Sequence, residues 1–338
     1  MKKLLTVAIP CYNSEEYMEK SIRSALNGGE KVEVLIIDDG STDSTLKIAQ
    51  KYEKKFPSIV KVIHKENGGH GDAVNAGIKN ATGEYFKVLD SDDVLGKKAM
   101  AKVLDFLERA ITTNMDVDMV ITNFMYDKQG VKRKKVMKYK SAMPVGKVIT
   151  WDDVKFGQTQ YLLMHSVMYR TRVLKESEFE LPKHTFYVDN IYVFTPLPYV
   201  RRIYYLDVVF YKYYIGRDDQ SVNESVMIKR LDQQYRVTKI MLDDYCSMNI
   251  ANKRLDAVLV HYFDMMMCVS TIMSIREGSR LRLKDKEELW EHLETKNPEL
   301  YKKVRGSLLG RSMNLPGKYG RKTSEFLYKV VQKIFGFN

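Results

Sequence analysis

The chain has 338 residues, of which 44% are apolar and 29% charged, and its formal net charge is +12. This length predicts one large domain with an appendage, and the composition is that of a globular protein that can bury a core. Three cysteines far apart in sequence, Cys11, Cys246 and Cys268, provide neither a disulfide framework nor a zinc site, so we expect a cytoplasmic protein. The charge predicts an acidic partner, and nucleic acid, anionic lipid or a phosphate-bearing substrate would each qualify.

The first ten residues, MKKLLTVAIP, superficially resemble a signal peptide. Their apolar run is short, lacks a small-residue cleavage site and continues into a polar turn, so we interpret it as a first buried strand. No stretch reaches the roughly 18 apolar residues that span a bilayer. We therefore expect no membrane-spanning segment.

Apolar segments alternate with helical patterns in the first third of the chain. The segments predict the strands of a parallel sheet, and they are Leu4–Ile9, Val32–Ile37, Val60–His64 and Tyr85–Leu89. The first two are expected to be buried, Leu4–Ile9 on both faces. Asn13 and Glu16 form a capping-box pattern before the first helix. Because the connections are short, we predict an α/β fold with a mostly parallel, doubly wound sheet.

The pattern changes further along the chain. Met119–Tyr126 and Val131–Tyr139 predict a hairpin, and a mixed region follows to about residue 215. Helical segments are then predicted near residues 224–245, 252–276, 284–295 and 323–335. We place the boundary near residue 220, between a first domain of residues 1–220 and a helical region of residues 221–338.

Polar side chains follow each of the four predicted strands. In a doubly wound sheet, ligands bind beyond the carboxyl ends of the strands. The residues expected at these ends are Tyr12, Asn13, Asp38, Asp39, Asn67–Gly71 and Asp90–Asp93. We expect them to converge on one crevice that forms an active site.

The segment Asp90–Asp93 carries the strongest chemical signal. In an extended chain, Asp90 and Asp92 project to the same side. Two carboxylates so close repel each other unless a cation lies nearby, and hard oxygen ligands suit Mg²⁺ or Mn²⁺. Such an ion could bridge to a diphosphate and neutralise its charge as it leaves. The alternative is that these aspartates cap the helix predicted to begin near Lys97.

The second and third strand ends permit two interpretations each. Asp38 and Asp39 could accept hydrogen bonds from a nucleobase or a ribose, but Asp-Gly-Ser-Thr-Asp is also a turn sequence. Both hold together if Ser41 or Asp43 caps the next helix. The backbone amides of residues 67–71 could bind an anion, whereas His70 is expected to be an ordinary polar loop residue.

Five strings resemble those of family 2 glycosyltransferases, in the same order and spacing. They are Val7–Asn13, Val34–Asp43, Asn67–Gly77, Thr82–Tyr85 and Leu89–Asp93. The resemblance covers roughly residues 4–220 and implies a GT-A fold whose first domain binds a nucleotide-sugar and transfers its sugar with inversion. The expected donor is a UDP-sugar, the expected acceptor a glycan or a lipid-linked molecule, and the expected cofactor Mg²⁺ or Mn²⁺. The resemblance says little about residues 221–338. We expect these residues to contact the acceptor, a membrane surface or another copy of the chain.

The resemblance also implies roles for individual donor-site residues. Pro10 and Tyr12 match the segment that packs on the base, Glu15 lies nearby, Asp39 matches the position that bonds uracil, and Asn67 falls near the same ring. Asp90, Ser91 and Asp92 match the Asp-x-Asp motif, with Asp92 expected as the more direct metal ligand. Val74 departs from the family pattern, which often has an arginine at that place.

A catalytic base is expected on the acceptor side of the site. Phe186–Asn190 resembles the family's Glu-Asp segment, with Asp189 at the base position and Val188 in place of the usual glutamate. One carboxylate must reach the acceptor hydroxyl and take its proton. Asp152 and Asp153 are the nearest competitors.

Three further features remain open. Arg217, in a segment resembling the family's closing Tyr-x-Tyr-Arg string, could pair with a phosphate or lie in solvent. His165 lies in an apolar stretch and is expected to be a buried histidine with satisfied hydrogen bonds. The segment Phe326–Phe335 mixes aromatic residues with lysines and could lie on a membrane surface, at the inner face of the membrane, or dock on its own domain.

Two other functions were weighed. A sugar-phosphate nucleotidyltransferase would place a glycine-rich, basic loop after the first strand, but residues 10–14 read Pro-Cys-Tyr-Asn-Ser. A nucleic-acid-binding protein would interleave aromatic and basic residues on a sheet face, whereas these strand ends are acidic. We therefore expect no nucleic-acid partner.

Overall fold

The chain folds into two compact units. A computed structural model describes residues 2–128, 130, 134–216 and 223–335, with the backbone alone for the last three of them. Met1–Gly157 and Leu162–Gly216 form one unit, here called the α/β unit. Gln158–Tyr161 and Arg217–Asn338 form the other, here called the helical unit. The roles predicted for residues 1–220 and 221–338 stay predictions.

Ten strands build the sheet of the α/β unit. They are β1 Leu5–Cys11, β2 Val32–Asp39, β3 Val60–Lys65, β4 Tyr85–Val88, β5 Val94–Leu95, β6 Met119–Lys128, β7 Lys135–Met137, β8 Val148–Ile149, β9 Val167–Arg170 and β10 Ile203–Ile215. The six helices of this unit are α1 Met18–Leu26, α2 Thr45–Lys55, α3 His70–Asn80, α4 Lys97–Thr112, α5 Thr171–Glu176 and α6 Asp189–Phe194.

The sheet is mixed but mostly parallel along its main path. Its strand order is β3-β2-β1-β4-β9-β6-β10-β5, with β7 paired to β6 and β8 paired to β10. The pairs β1–β2, β1–β4, β2–β3 and β6–β10 are parallel, and β9 runs antiparallel to both of its neighbours. The predicted fold class is confirmed, and parallel β1, β2 and β4 place their carboxyl ends at one rim of the sheet.

Helices pack closely on this sheet, so its central strands are buried throughout. Every residue of β1 and β2 is buried, as their unbroken apolar sequences predict. Helix α3 approaches β1 so closely that a Cβ on Gly77 would lie 2.9 Å from the Cβ of Ala8. A glycine at this place therefore fixes how deep α3 lies and where its N-terminus meets the rim.

The predicted capping box before α1 is wrong. Helix α1 begins at Met18 without a side-chain cap, and Asn13 adopts a positive φ of 47°. Asn13 Oδ1 instead accepts a hydrogen bond from the Thr42 N–H at 2.9 Å. The asparagine thus joins the loop after β1 to the loop after β2, because a contact across the rim replaces the local cap.

The described part of the helical unit contains seven helices. They are α7 Glu224–Lys229, α8 Leu231–Ser247, α9 Lys253–Glu277, α10 Arg280–Lys296, α11 Pro298–Gly306, α12 Leu308–Met313 and α13 Gly317–Phe335. Two of them, α11 and α12, had no counterpart in the predicted segments. In the described part of the chain, α9 is long and apolar enough to cross a membrane, but 72% of its apolar window is buried inside the protein, as in a core helix. The expectation that no segment spans a membrane stays a prediction.

Candidate active site

The loops beyond β1, β2 and β4 are joined to one another at the rim. Ser14 Oγ lies 2.9 Å from Ser91 Oγ, so the loop after β1 contacts the Asp90–Asp93 segment. The Ser14 N–H donates to Thr45 Oγ1 at 2.7 Å, at the start of α2. These contacts bring together three of the four polar strand ends expected from the sequence.

Asp39, at the end of β2, organises the loop that follows β3. Its Oδ1 accepts hydrogen bonds from the Gly68 N–H at 2.9 Å and from Lys65 Nζ at 2.6 Å. Its Oδ2 accepts from the Gly69 N–H at 2.7 Å, and Gly69 has a φ of 85° that favours glycine. Asn67 Nδ2 donates to the Asp39 backbone oxygen at 3.0 Å. Two carboxylate oxygens offer about four acceptor sites, and these contacts occupy three of them in a residue that is 2% exposed.

Asp90 is bonded across the rim to α3 and β10. Its Oδ1 lies 2.9 Å from His70 Nε2, and its Oδ2 accepts from the Tyr211 hydroxyl at 3.3 Å. Burial alone would raise the pKa of Asp90, but its hydrogen bond with His70 and the charge of that ring hold it below its usual value. Asp90 is therefore an ionised, half-buried carboxylate.

Asp93 differs from Asp90 because it is fully buried. Its Oδ2 accepts from the Tyr211 hydroxyl at 2.6 Å and its Oδ1 from the Tyr214 N–H at 2.6 Å. Burial, together with the negative charges of Asp92 and Asp90, raises its pKa well above the usual value. Asp93 resists ionisation because Asp90 and Asp92 are already negative, so this segment repels further negative charge unless a cation is added.

Asp189 is the first residue of α6 and lies at the same crevice. Burial and the negative charge of Asp90 raise its pKa to about 6, against the opposing positive charge of His70. Burial would lower the pKa of His70, but its bond to Asp90 and the charges of Asp90, Asp189 and Asp39 raise it. His70 thus bonds to Asp90 and is electrostatically coupled to Asp189 and Asp39.

His165 departs from the expectation of a satisfied buried histidine. It is buried, but its Nδ1 has no hydrogen-bond partner among the residues that the structure describes. The ring stacks on Tyr213 with centroids 4.4 Å apart and meets Tyr211 edge-on at 4.8 Å. Burial lowers the pKa of His165 to about 4, so the ring is neutral and Nδ1 can act as an electron-pair donor.

Lys87, on β4, supports this arrangement from inside the sheet. Its side chain is 0% exposed, and Nζ donates to the backbone oxygens of Met164, His165 and Val167 at 2.7, 2.8 and 3.1 Å. Burial lowers the pKa of Lys87 to about 7, while the charges of Asp90 and Asp93 act in the opposite direction. The lysine thus fixes the backbone that carries His165 beneath the acidic segment.

The remaining predicted donor-site residues differ in exposure. Pro10 is buried in β1, whereas the Tyr12 ring is 51% exposed at the rim. Glu15 Oε2 accepts a hydrogen bond from the Ser44 N–H at 2.9 Å, so this carboxylate bonds to the residue that precedes α2. Asp92 is half-buried. Burial raises the pKa of Tyr213, and the charges of Asp93, Asp90, Asp189 and Asp92 raise it as well. Arg217 lies outside the described residues.

The competing aspartates have a structural role nearby in sequence. Asp153 Oδ2 accepts from the Thr150 N–H at 3.1 Å and closes a capping box around the short turn at Trp151. Asp152 is exposed beside it.

Several residues of the crevice could not be assigned from the sequence. His70, expected as an ordinary loop residue, is the first residue of α3 and bonds to Asp90. Lys87 and His165 lie within apolar stretches that gave no sign of a polar contact. Tyr211 and Tyr213 alternate on β10 with the spacing of side chains on one face. That alternation, in a segment already matched to the family, was the one usable signal.

A mostly parallel sheet with carboxylates and a glycine-rich loop at the carboxyl ends of its strands is the architecture of a GT-A glycosyltransferase domain. The chain belongs to glycosyl transferase family 2, because the model of that family matches residues 6–177, just over half of the 338 residues. The resemblance found in the sequence is confirmed. Membership favours a glycosyltransferase over a nucleotidyltransferase or a nucleic-acid-binding protein.

The chain is similar to proteins of cell-wall polymer synthesis. It is 37% identical over 109 residues to the minor teichoic acid biosynthesis protein GgaA of Bacillus subtilis (strain 168), covering 30% of this chain and 24% of GgaA. It is 24% identical over 264 residues to the poly(ribitol-phosphate) beta-N-acetylglucosaminyltransferase TarS of Staphylococcus aureus (strain Mu50 / ATCC 700699), covering 77% of this chain and 43% of TarS. The chain thus spans less than half the length of each relative.

Solved structures have the same fold. The crystal structure of S. aureus TarS 1–349 in complex with UDP-GlcNAc matches with a TM-score of 0.70 at 20% identity, over 98% of this chain and 91% of that one. The mannosyltransferase PcManGT from Pyrobaculum calidifontis in complex with GDP-Man and Mn²⁺ matches with a TM-score of 0.54 at 14% identity, over 100% and 89%. At these identities the likeness establishes the fold alone.

Replacing Lys87 tests whether this buried amine holds the crevice together. The variant Lys87→Met keeps an unbranched side chain but leaves three buried carbonyl oxygens without their donor. We expect the free energy of unfolding to fall by about 3 kcal/mol in urea denaturation. The control Lys98→Met removes an exposed lysine and should change it by less than about 0.5 kcal/mol. Equal stability of the two variants would show that the three carbonyl contacts contribute little.

Proposed function

We propose that this chain transfers a sugar from a UDP-sugar to a hydroxyl group of a glycan or lipid-linked acceptor, with inversion at the anomeric carbon. The observation that carries the proposal is that neighbouring residues at the start of α3 join two strand ends: the Gly69 N–H donates to Asp39 and the His70 ring bonds to Asp90. Asp189 is electrostatically coupled to the same ring. These contacts support a shared site for the nucleotide base, the diphosphate and the acceptor.

The donor would lie along the rim formed by the loops after β1, β2 and β3. The exposed Tyr12 ring is available to pack on the uracil. Asp39 would accept a hydrogen bond from the uracil imide, and Asn67 bonds to its backbone oxygen. Three donors hold the Asp39 carboxylate in place, so it would meet the uracil in a fixed orientation.

The residues at the diphosphate end fit a divalent cation. Oxygens of Asp90 and Asp93 and an imidazole nitrogen of His165 lie within 4.8 Å of one another, and His165 Nδ1 is buried without a partner in the described part of the chain. Carboxylate oxygens suit Mg²⁺ or Mn²⁺. Asp90, Asp93 and His165 would hold the ion, and Asp92 is the further carboxylate that the family motif assigns to it. When bound, it supplies positive charge that stabilises the departing diphosphate.

Asp189 would act as the general base. In its ionised form it takes the proton of the acceptor hydroxyl as that oxygen forms a bond to the anomeric carbon and the bond from this carbon to the β-phosphate oxygen breaks. UDP leaves from the opposite face, so one displacement inverts the configuration. The burial that raises the pKa of Asp189 to about 6 makes it a better proton acceptor than an exposed aspartate.

An anionic cell-surface polymer is the acceptor class that the relatives suggest. GgaA is named for minor teichoic acid biosynthesis, and TarS is named for transfer to poly(ribitol-phosphate). The net charge of +12 would favour a phosphate-bearing acceptor over a neutral one. UDP-GlcNAc is the first donor to test, because a structure of TarS contains it. A cytoplasmic location would give access to such donors.

Calorimetry tests donor binding and the cation together. We expect UDP to bind the protein in the presence of Mn²⁺ and at least about tenfold more weakly without it, because two negative phosphates then face unbalanced carboxylates. Asp92→Asn should bind UDP equally weakly with and without Mn²⁺. Asp152→Asn, which removes an exposed aspartate, should retain the metal dependence. Tight binding of single-stranded RNA without metal, and none of UDP, would contradict the proposal.

Sugar transfer by Asp189→Asn tests the assignment of the base. We expect kcat to fall by about 10²- to 10⁴-fold while the affinity for UDP is retained. In the unmodified protein kcat/KM should be constant above pH 7 and fall about tenfold per unit below pH 6, because only ionised Asp189 accepts a proton and its pKa is about 6. Asp152→Asn is the matched control. A large loss in that variant, with an active Asp189→Asn, would assign the base elsewhere.

A further inference from the structure

The last helix of the helical unit, α13, exposes its apolar residues instead of burying them. Tyr319 is 86% exposed and Phe326 66%, and Leu327, Val330 and Val331 are exposed as well. Tyr319, Phe326 and Val330 are spaced by seven and four residues, so they lie along one face of the helix. This strip of five residues, here called the α13 apolar strip, is a continuous hydrophobic surface on a folded protein.

Polar contacts hold α13 against the rest of its unit. Ser324 is fully buried, and its hydroxyl donates to the Ser312 backbone oxygen at 2.6 Å. Glu325 pairs with Arg276 of α9 at 3.0 Å, and the Arg276 guanidinium lies 5.8 Å from the Tyr328 ring centroid. The helix is thus attached through its polar side. The α13 apolar strip is not needed for that attachment, and its exposure to water is unfavourable.

Basic side chains border the strip. Helix α13 contains five Lys or Arg residues (Lys318, Arg321, Lys322, Lys329 and Lys333) and one acidic residue, Glu325, a net charge of 5 − 1 = +4. Lys322 lies one turn from both Tyr319 and Phe326. Lys318 and Lys322 are exposed and have no ion-pair partner in the part of the chain described, whereas Lys329 pairs with Glu325 at 3.0 Å. The available positive charge therefore lies beside the apolar side chains.

We propose that the α13 apolar strip docks on the surface of a bilayer that contains anionic lipids. Apolar and aromatic side chains can enter the boundary between headgroups and acyl chains while neighbouring lysines contact the lipid phosphates. A soluble protein partner with an apolar groove would not require the lysines, and a nucleic acid would not require the apolar strip. The combination fits an anionic membrane surface. This inference is independent of the proposed transfer reaction.

Vesicle co-sedimentation with the full chain tests the docking directly. We expect binding to vesicles of 30% phosphatidylglycerol in phosphatidylcholine, about tenfold weaker binding to phosphatidylcholine alone, and release by 0.5 M NaCl. Phe326→Ser should weaken binding by about tenfold, because its ring would no longer be removed from water. Lys318→Glu/Lys322→Glu should abolish the preference for anionic vesicles.

Two matched variants serve as controls, and circular dichroism verifies that every variant is folded. Leu281→Ser removes an equally exposed apolar side chain, 63% exposed, from α10 of the same unit. Lys98→Glu/Lys102→Glu makes the same charge change at the same i, i+4 spacing on an exposed face of α4. Both should bind vesicles like the unmodified protein.

Two outcomes would overturn the proposal. The first is equal binding of all variants to vesicles, or no binding by any of them. The second is self-association in analytical ultracentrifugation that Phe326→Ser abolishes, without vesicle binding, since the strip would then join two copies of the chain. UDP binding measured on the same samples separates these outcomes from failure of the proposed function, because it does not depend on the helix.

Discussion

Mutual repulsion of carboxylates at one rim of the sheet is the constraint on which the α/β unit depends. The parallel strands β2 and β4 end in Asp39 and in the Asp90–Asp93 segment, and α6 adds Asp189. The protein offsets this negative charge with His70, which bonds to Asp90, with Lys87 inside the sheet, and with the backbone amides of Gly68 and Gly69, which bond to Asp39. These groups keep the rim folded, but they do not neutralise it. A divalent cation would balance the remaining negative charge.

Uncharged side chains also join the loops at the rim to each other. Asn13 bonds to Thr42 and Ser14 contacts Ser91, so a shift of one loop would displace its neighbours. Such cross-linking holds binding groups in place before a ligand arrives, which reduces the free energy lost on ordering them. The exposed Tyr12 ring is the exception, and its freedom suits a residue that closes on a base.

The sequence was sufficient to predict those parts of the fold whose signal lies within a short segment of the chain. The strands β1, β2 and β4 are buried and mostly apolar, so they and their polar ends could be predicted. Strand β3 was predicted from the alternation of strands and helices, although only Val60 in it is buried. Short glycine-containing strings identified the family. Contacts between distant segments could not be predicted. Lys87 reaches Met164 across 77 residues, and His165 resembles a core residue because its surroundings are aromatic. The predicted capping box at Asn13 is wrong for the same reason, because Asn13 bonds to Thr42, which is 29 residues away in the sequence. The α13 apolar strip could be recognised only from the structure, because the structure shows which face of the helix is buried.

The central claim is that this acidic rim is one site, completed by a divalent cation and a diphosphate. Crystals grown with UDP and Mn²⁺, measured at the manganese absorption edge, test it directly. The account predicts an anomalous peak bounded by Asp90 and Asp92, with the UDP phosphates on one side and Asp189 across the crevice. A manganese peak outside this crevice, or UDP bound at the rim with Asp189 on another surface, would contradict it.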